Sequence, residues 1–173
     1  MILDLKNQEI ELRELRTADS DQIARLINNK NVWDNLKDYV PFPYSKEDAL
    51  SFIQFCLNQK PLQHFGIYHS GKVCGVISIV PQSDVHRLSG ELGYWIGESF
   101  WNKGIATQAV SMISEYAFEK LGLNRIYAKV FDPNVASMKV LEKCGYLLEG
   151  ISKNAVIKNN RVLDEHRYAL LKP

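Results

Sequence analysis

The stretch GELGYWIGESFWNKGIATQA at positions 90–109 constrains this chain more than any other. An extended run gives way, through Asn102, Lys103 and Gly104, to helical spacing, with Ala109, Val110, Ile113, Ala117 and Leu121 on one face and Gly122 at the stop. A strand feeding straight into a helix brings the helix's first amides, which have no acceptor one turn back, and the positive end of its dipole to the strand's end. An anion there receives several N–H bonds. Gly104 and Ala106 permit close approach, and Lys103 adds a positive charge. The spacing is neither GxGxxG nor GxxxxGKS/T, so neither a dinucleotide fingerprint nor a Walker loop is supported. A helix start with a convenient glycine accounts for the same letters equally well.

The rest of the chain alternates short elements. Residues 10–15 alternate apolar and charged side chains as a half-buried strand does, and residues 17–21 offer caps for a helix carrying Ile23, Leu26 and Ile27. An irregular stretch with Trp33, Tyr39, Pro41 and Pro43 follows, and Ser45 to Asp48 then opens a second helix with Leu50, Ile53 and Leu57. Residues 65–68 and 73–80 form a hairpin in which Gly71 takes a positive φ. Further on, residues 88–97 and 125–131 are strands, 134–143 is a helix stopped by Gly145, and 146–150 begins a final strand pair turned at Asn159-Asn160 and ended by 161–171. An antiparallel meander followed by strand–helix–strand–helix–strand implies an α+β class, α/β in looser usage, with a mixed sheet and helices on both faces.

Composition narrows the function. The 173 residues, 46% hydrophobic and 24% charged, suit one globular domain spanning 1–173, and no repeat or linker marks a boundary. A net charge of +1 lacks the general positive field of a nucleic-acid binder, so no nucleic-acid partner is expected. Residues 1–9 carry charges where an export signal needs an apolar run, and no run reaches the roughly 20 residues of a membrane span. No membrane partner is expected. Cys56, Cys74 and Cys144 are odd in number and lack a CxxC, and the four histidines add no zinc spacing, which fits a reducing cytoplasm, buried thiols and no metal.

Four stretches together resemble the GNAT superfamily of acetyl-CoA-dependent N-acetyltransferases, and within it the RimJ/RimL-like branch that modifies protein N-terminal amines. They are IELRELR at 10–16 with Asp19, ELGYWI at 91–96, FWNKGIATQA at 100–109, and NVASMKVLEKCGY at 134–146. The resemblance implies a mostly antiparallel central sheet splayed between its fourth and fifth strands, those at 91–96 and 125–131, with acetyl-CoA as co-substrate. It places pyrophosphate on the loop of Asn102, Lys103, Gly104, Ile105, Ala106 and Thr107. It also implies that a main-chain N–H at Tyr94, Trp95 or Ile96 polarises the thioester carbonyl. Trp101 departs from the Gln or Arg common at the loop's start, although Trp is frequent in this branch.

Acetyl transfer needs a neutral amine, a polarised carbonyl and a departing thiolate. A free α-amine titrates near 8 and a lysine near 10.4, so an α-amine needs less help from a base. Glu91, on the strand leading to the loop and matching a carboxylate frequent in the branch, is the candidate base. A surface carboxylate at a strand start is the plainer reading. The tyrosine acid of many superfamily members falls here on Leu141, and Ser137 is the branch's alternative partner for the sulfur. Asn134 joins it as a cofactor residue, although helix capping explains both equally well. Lys139 and Lys143 read as a solvated helix face and Tyr146 as core. Trp33, Tyr39 and Phe42 lie where such enzymes shape the acceptor pocket, with satellite core an equal reading, and Asp164 and His166 share one face of the last strand, where they line an acceptor channel or simply suit a half-exposed strand. The expected acceptor is a peptide N-terminus or a small amine such as a polyamine, amino acid or aminoglycoside. A non-catalytic acyl-CoA-binding module is the alternative, and the branch's habits allow a homodimer.

Overall fold

A computed structural model of the chain describes residues 5–6 and 10–173. Of residues 1–9, read above for an export signal, all but Leu5 and Lys6 lie outside the described residues. The strands are β1 (Leu5–Lys6), β2 (Ile10–Arg13), β3 (His64–His69), β4 (Lys72–Pro81), β5 (Ser89–Ile96), β6 (Arg125–Phe131), β7 (Leu147–Lys158) and β8 (Arg161–Leu171). The helices are α1 (Ser20–Ile27), α2 (Lys30–Trp33), α3 (Lys46–Leu57), α4 (Ile105–Glu119) and α5 (Val135–Lys143). Strand order is β1-β2-β3-β4-β5-β6-β8-β7. β5 and β6 pair parallel, while β1–β2, β2–β3, β3–β4, β6–β8 and β7–β8 pair antiparallel, the mixed α+β sheet expected from the sequence. The chain groups into two compact units, Met1–Ser78 with Tyr94–Ala109 and Ile79–Gly93 with Val110–Pro173.

In the first unit, apolar residues one helical turn apart build the core. Ile23, Ala24 and Ile27 of α1 and Ala49, Ile53 and Cys56 of α3 cluster with Leu15, Tyr68, Val73 and Val76. α3 starts where the sequence placed it, because Ser45 and Asp48 form a reciprocal cap: Asp48 N donates to Ser45 Oγ (3.0 Å) and Ser45 N to Asp48 Oδ2 (2.8 Å). Ser70 and Gly71, at φ 50° and 76°, make the tight β3–β4 turn. Gly75 on β4 has a structural reason that the letters do not show. A Cβ there would run into the Trp95 carbonyl oxygen and lie 3.1 Å from Ile96 Cα. Burial pushes the thiols of Cys56 and Cys74 up to about 12, and Cys74 Sγ donates to the Ile67 carbonyl (3.3 Å).

In the second unit, β5 and β6 pair from Ser89↔Arg125 to Leu92↔Ala128, and the ladder ends there although both strands run on. Ile126, Ala128 and Val130 are buried, as are Val110, Ile113 and Ala117 of α4 and Met138 and Leu141 of α5. Tyr146 is core, as expected, its hydroxyl 2.7 Å from Ser114 Oγ on α4. Gly122 and Gly145 close α4 and α5 at φ 66° and 83°. Asn159 and Asn160, at φ 52° and 59°, turn β7 into β8. β7 is irregular where the sequence suggested a plain strand, with register shifts between Leu148 and Gly150 and between Ser152 and Val156. No helix among the described residues is long and apolar enough to cross a membrane.

Candidate active site

The turn between β5 and α4 is held by short local bonds. A 3₁₀ turn at Glu98–Phe100 ends in Trp101, whose indole N–H donates to the Ile96 carbonyl (2.7 Å) and fastens the loop to the strand it leaves. Tryptophan thus does structural work at the position where Gln or Arg is common. Asn102 (φ 60°) and Gly104 (φ 74°) then reverse the backbone, and the bond from Gln108 N to Gly104 O (3.1 Å) opens α4. A Cβ on Gly104 would meet nothing nearer than 3.8 Å, so it is the positive φ and not crowding that favours glycine there. The amides of Ile105, Ala106 and Thr107 precede the helix's first bond to a residue four back. Asn102 and Lys103 are exposed, Ala106 and Thr107 half-buried and Ile105 buried. The Lys103 ammonium lies 5.4 Å from the centroid of the Phe100 ring. Tyr94 and Trp95 are half-buried and Ile96 buried, and Trp95 packs against the α1–α3 cluster.

The same unit carries Trp33 and Tyr39. Trp33 stacks on Phe42 at 5.1 Å and donates its indole N–H to the Val40 carbonyl (2.7 Å), whereas Tyr39 is 81% exposed. The segment is bound to the β5–α4 turn through Glu98, whose carboxylate accepts from the side-chain amides of Asn29 and Asn31. Those bonds hold the Glu98 carboxyl below its ordinary range. The four-residue α2 that presents these amides was not legible in the sequence, since one turn has no period to read.

In the second unit, Glu91 is half-buried on β5 and pairs in register with Tyr127 of β6. The Tyr127 hydroxyl donates to Glu91 Oε2 at 3.2 Å, and the Arg167 guanidinium lies 5.2 Å from the Tyr127 ring centroid. Burial, together with the negative Glu91, pushes the Tyr127 phenol up, so it stays a donor at neutral pH. Sequence reading missed Tyr127, because only the parallel register brings it beside Glu91. Asn134 caps α5 by accepting from Ser137 N (3.2 Å), and Ser137 is half-buried one turn into that helix. Leu141, at the position of the tyrosine acid, is fully buried.

Asp164 is not brought to the Glu91 face. It stands three residues before Arg167 on β8, an odd spacing that turns it to the opposite side, and its carboxylate accepts from Lys153 Nζ (2.7 Å) and Asn154 N (2.9 Å) in the β7 irregularity. His166, on Asp164's side, lies 3.1 Å from Asp132 Oδ1. Lys139 and Lys143 are exposed.

Comparison with known proteins defines the class to which a chain with such a β5–α4 turn belongs. A family model of the acetyltransferase (GNAT) domain matches residues 9–147, and the chain belongs to that family. It is an N-acetyltransferase. Among similar proteins, the uncharacterised N-acetyltransferase p20 of Bacillus licheniformis is 38% identical, with 97% of this chain and 96% of that one covered. The ribosomal-protein-serine acetyltransferase of Escherichia coli is 26% identical (94% and 93% covered), and the spermidine N(1)-acetyltransferase of Vibrio cholerae is also 26% identical (95% and 94% covered). Of solved structures, the microcin C7 self-immunity acetyltransferase MccE in complex with acetyl-CoA and AMP superposes with a TM-score of 0.82 at 27% identity, covering 96% of this chain and 94% of that one. RimL, a ribosomal L7/L12 alpha-N-protein acetyltransferase in complex with coenzyme A, shares the fold at a TM-score of 0.84 and 24% identity, with 99% and 98% covered.

Proposed function

We propose that this chain, acting as one domain over 1–173, transfers the acetyl group of acetyl-CoA to a primary amine, with a protein N-terminal α-amine as its acceptor. The observation that carries the acetyl-CoA part of this reading is the start of α4, where Gly104 at φ 74° turns the chain into the helix with no side chain of its own beside the first turn. The first amides of α4, the helix dipole and Lys103 suit a pyrophosphate, and residues 102–107 would hold it. When bound, acetyl-CoA supplies an activated acyl group on sulfur. The chain's own residues then do three things. Glu91 accepts the proton that the amine nitrogen gives up as it bonds to the acetyl carbon. A main-chain N–H among residues 94–96 hydrogen-bonds the carbonyl oxygen. Ser137 donates to the sulfur as the C–S bond breaks and coenzyme A leaves, a role that buried Leu141 cannot take, and the Asn134 cap fixes Ser137 in place. Trp33, held by its bond to Val40, and the exposed Tyr39 are the proposed acceptor contacts.

A small polyamine is the second acceptor, favoured because the spermidine and ribosomal-protein relatives are equally similar to this chain. Incubation with acetyl-CoA and a pooled panel of N-terminal peptides, polyamines and aminoglycosides, read by mass spectrometry, separates the two. Acetylated peptide supports the first acceptor and acetylated polyamine alone the second. Acetyl-CoA binding with no product from any acceptor would overturn both and point to an acceptor outside the panel or to an acyl-CoA-binding module.

A further inference from the structure

Four strands place a polar cluster on one side of the second unit's sheet. Tyr127 stands opposite Glu91 in the β5–β6 register. Lys129 pairs with Arg167 across β6–β8, so Arg167 is the diagonal neighbour of Tyr127 and its guanidinium lies over that ring. Arg125 and Glu149 form a bidentate ion pair at the cluster's edge, and Glu165 stands on this side of β8 opposite Phe131. The Tyr127 hydroxyl donates to Glu91 at 3.2 Å, a little longer than an ideal O–H···O bond. A phenol clamped between a carboxylate and a guanidinium has little rotational freedom, and neither does the carboxylate it holds.

We propose, resting on the assignment of Glu91 as base, that Tyr127 is its positioning residue: the Tyr127 hydroxyl, with Arg167 over the ring, fixes the orientation in which the Glu91 carboxylate meets the amine. No bond to Tyr127 is made or broken in turnover. It acts through Glu91 and touches neither acetyl group nor amine, so its influence falls on kcat and vanishes when Glu91 cannot serve as a base.

The test is a double-mutant cycle with Tyr127→Phe and Glu91→Gln. Turnover is read by mass spectrometry, acetyl-CoA Kd by calorimetry and folding by Tm. Tyr127→Phe is expected to lower kcat about tenfold, with Kd and Tm held, and to lower it no further in the Glu91→Gln background, since a residue acting only through another shows no independent effect. Arg167→Gln should give a smaller loss of the same pattern, and it serves as the second variant if the phenylalanine protein folds poorly. If Glu91→Gln abolishes turnover while Tyr127→Phe leaves kcat intact, or if the two losses multiply, the inference falls and the base assignment stands. If Glu91→Gln itself retains full turnover, the base assignment falls and the inference with it.

Discussion

At Gly104 a side chain would be strained, because a Cβ at positive φ crowds the following carbonyl. Gly104→Ala is expected to destabilise this turn by about 1–2 kcal/mol and, by tilting the first amides of α4, to weaken acetyl-CoA binding roughly tenfold. Calorimetric titration checks it, and unchanged affinity would remove the loop from the phosphate site. For Glu91→Gln the expected pattern is the reverse: acetyl-CoA affinity kept, kcat down by about a hundredfold or more for loss of a general base. The turn at Gly104 was legible in the sequence, because a glycine between an extended run and a helical one marks the reversal that its positive φ makes. Glu91 drew notice only through the family resemblance, and its bond to Tyr127 was not legible at all, since it arises from a strand register that no local pattern encodes.

Elements whose ends are fixed by their own side chains were read most accurately. α3 starts where Ser45 and Asp48 cap it, and β8 starts after two asparagines that both tolerate positive φ. Ser45→Ala removes the acceptor for Asp48 N and is expected to lower stability by about 1 kcal/mol, seen as a lower Tm with turnover per folded molecule unchanged. Elements shaped by tertiary partners escaped. α2 is one turn long, and its capping Asn29 and its Asn31 meet their partner only at Glu98. The β7 shift between Ser152 and Val156 lies where Asp164 accepts from Lys153 and the Asn154 amide. Those bonds explain why Asp164, attractive as an acceptor residue in the sequence, is committed elsewhere.

Across the molecule, ionisable groups favour the fold near neutrality. Asp48, Glu98, Glu149 and Asp164 are all held below their ordinary values by hydrogen bonds or ion pairs. Their contribution is present above the unfolded values of 3.8 and 4.5 and is lost as pH falls through the lower folded values. Burial pushes His64 below 6.5, so it too favours the fold when neutral, and its share is lost as pH falls from 6.5 through the folded value. Tm is therefore expected to fall in two stages, first below pH 6.5 through His64 and again below pH 4.5 through the carboxylates, with the first stage lost in His64→Gln. A Tm maximum near pH 4 would contradict this. Burial of Cys56 and Cys74 has a practical consequence as well. Thiols pushed up to about 12 are scarcely ionised at neutral pH, and only the thiolate attacks an aromatic disulfide dye. In a colorimetric assay the half-buried Cys144 is then the main protein background, and the colour that develops with time counts coenzyme A molecules released, one for each acetyl group delivered.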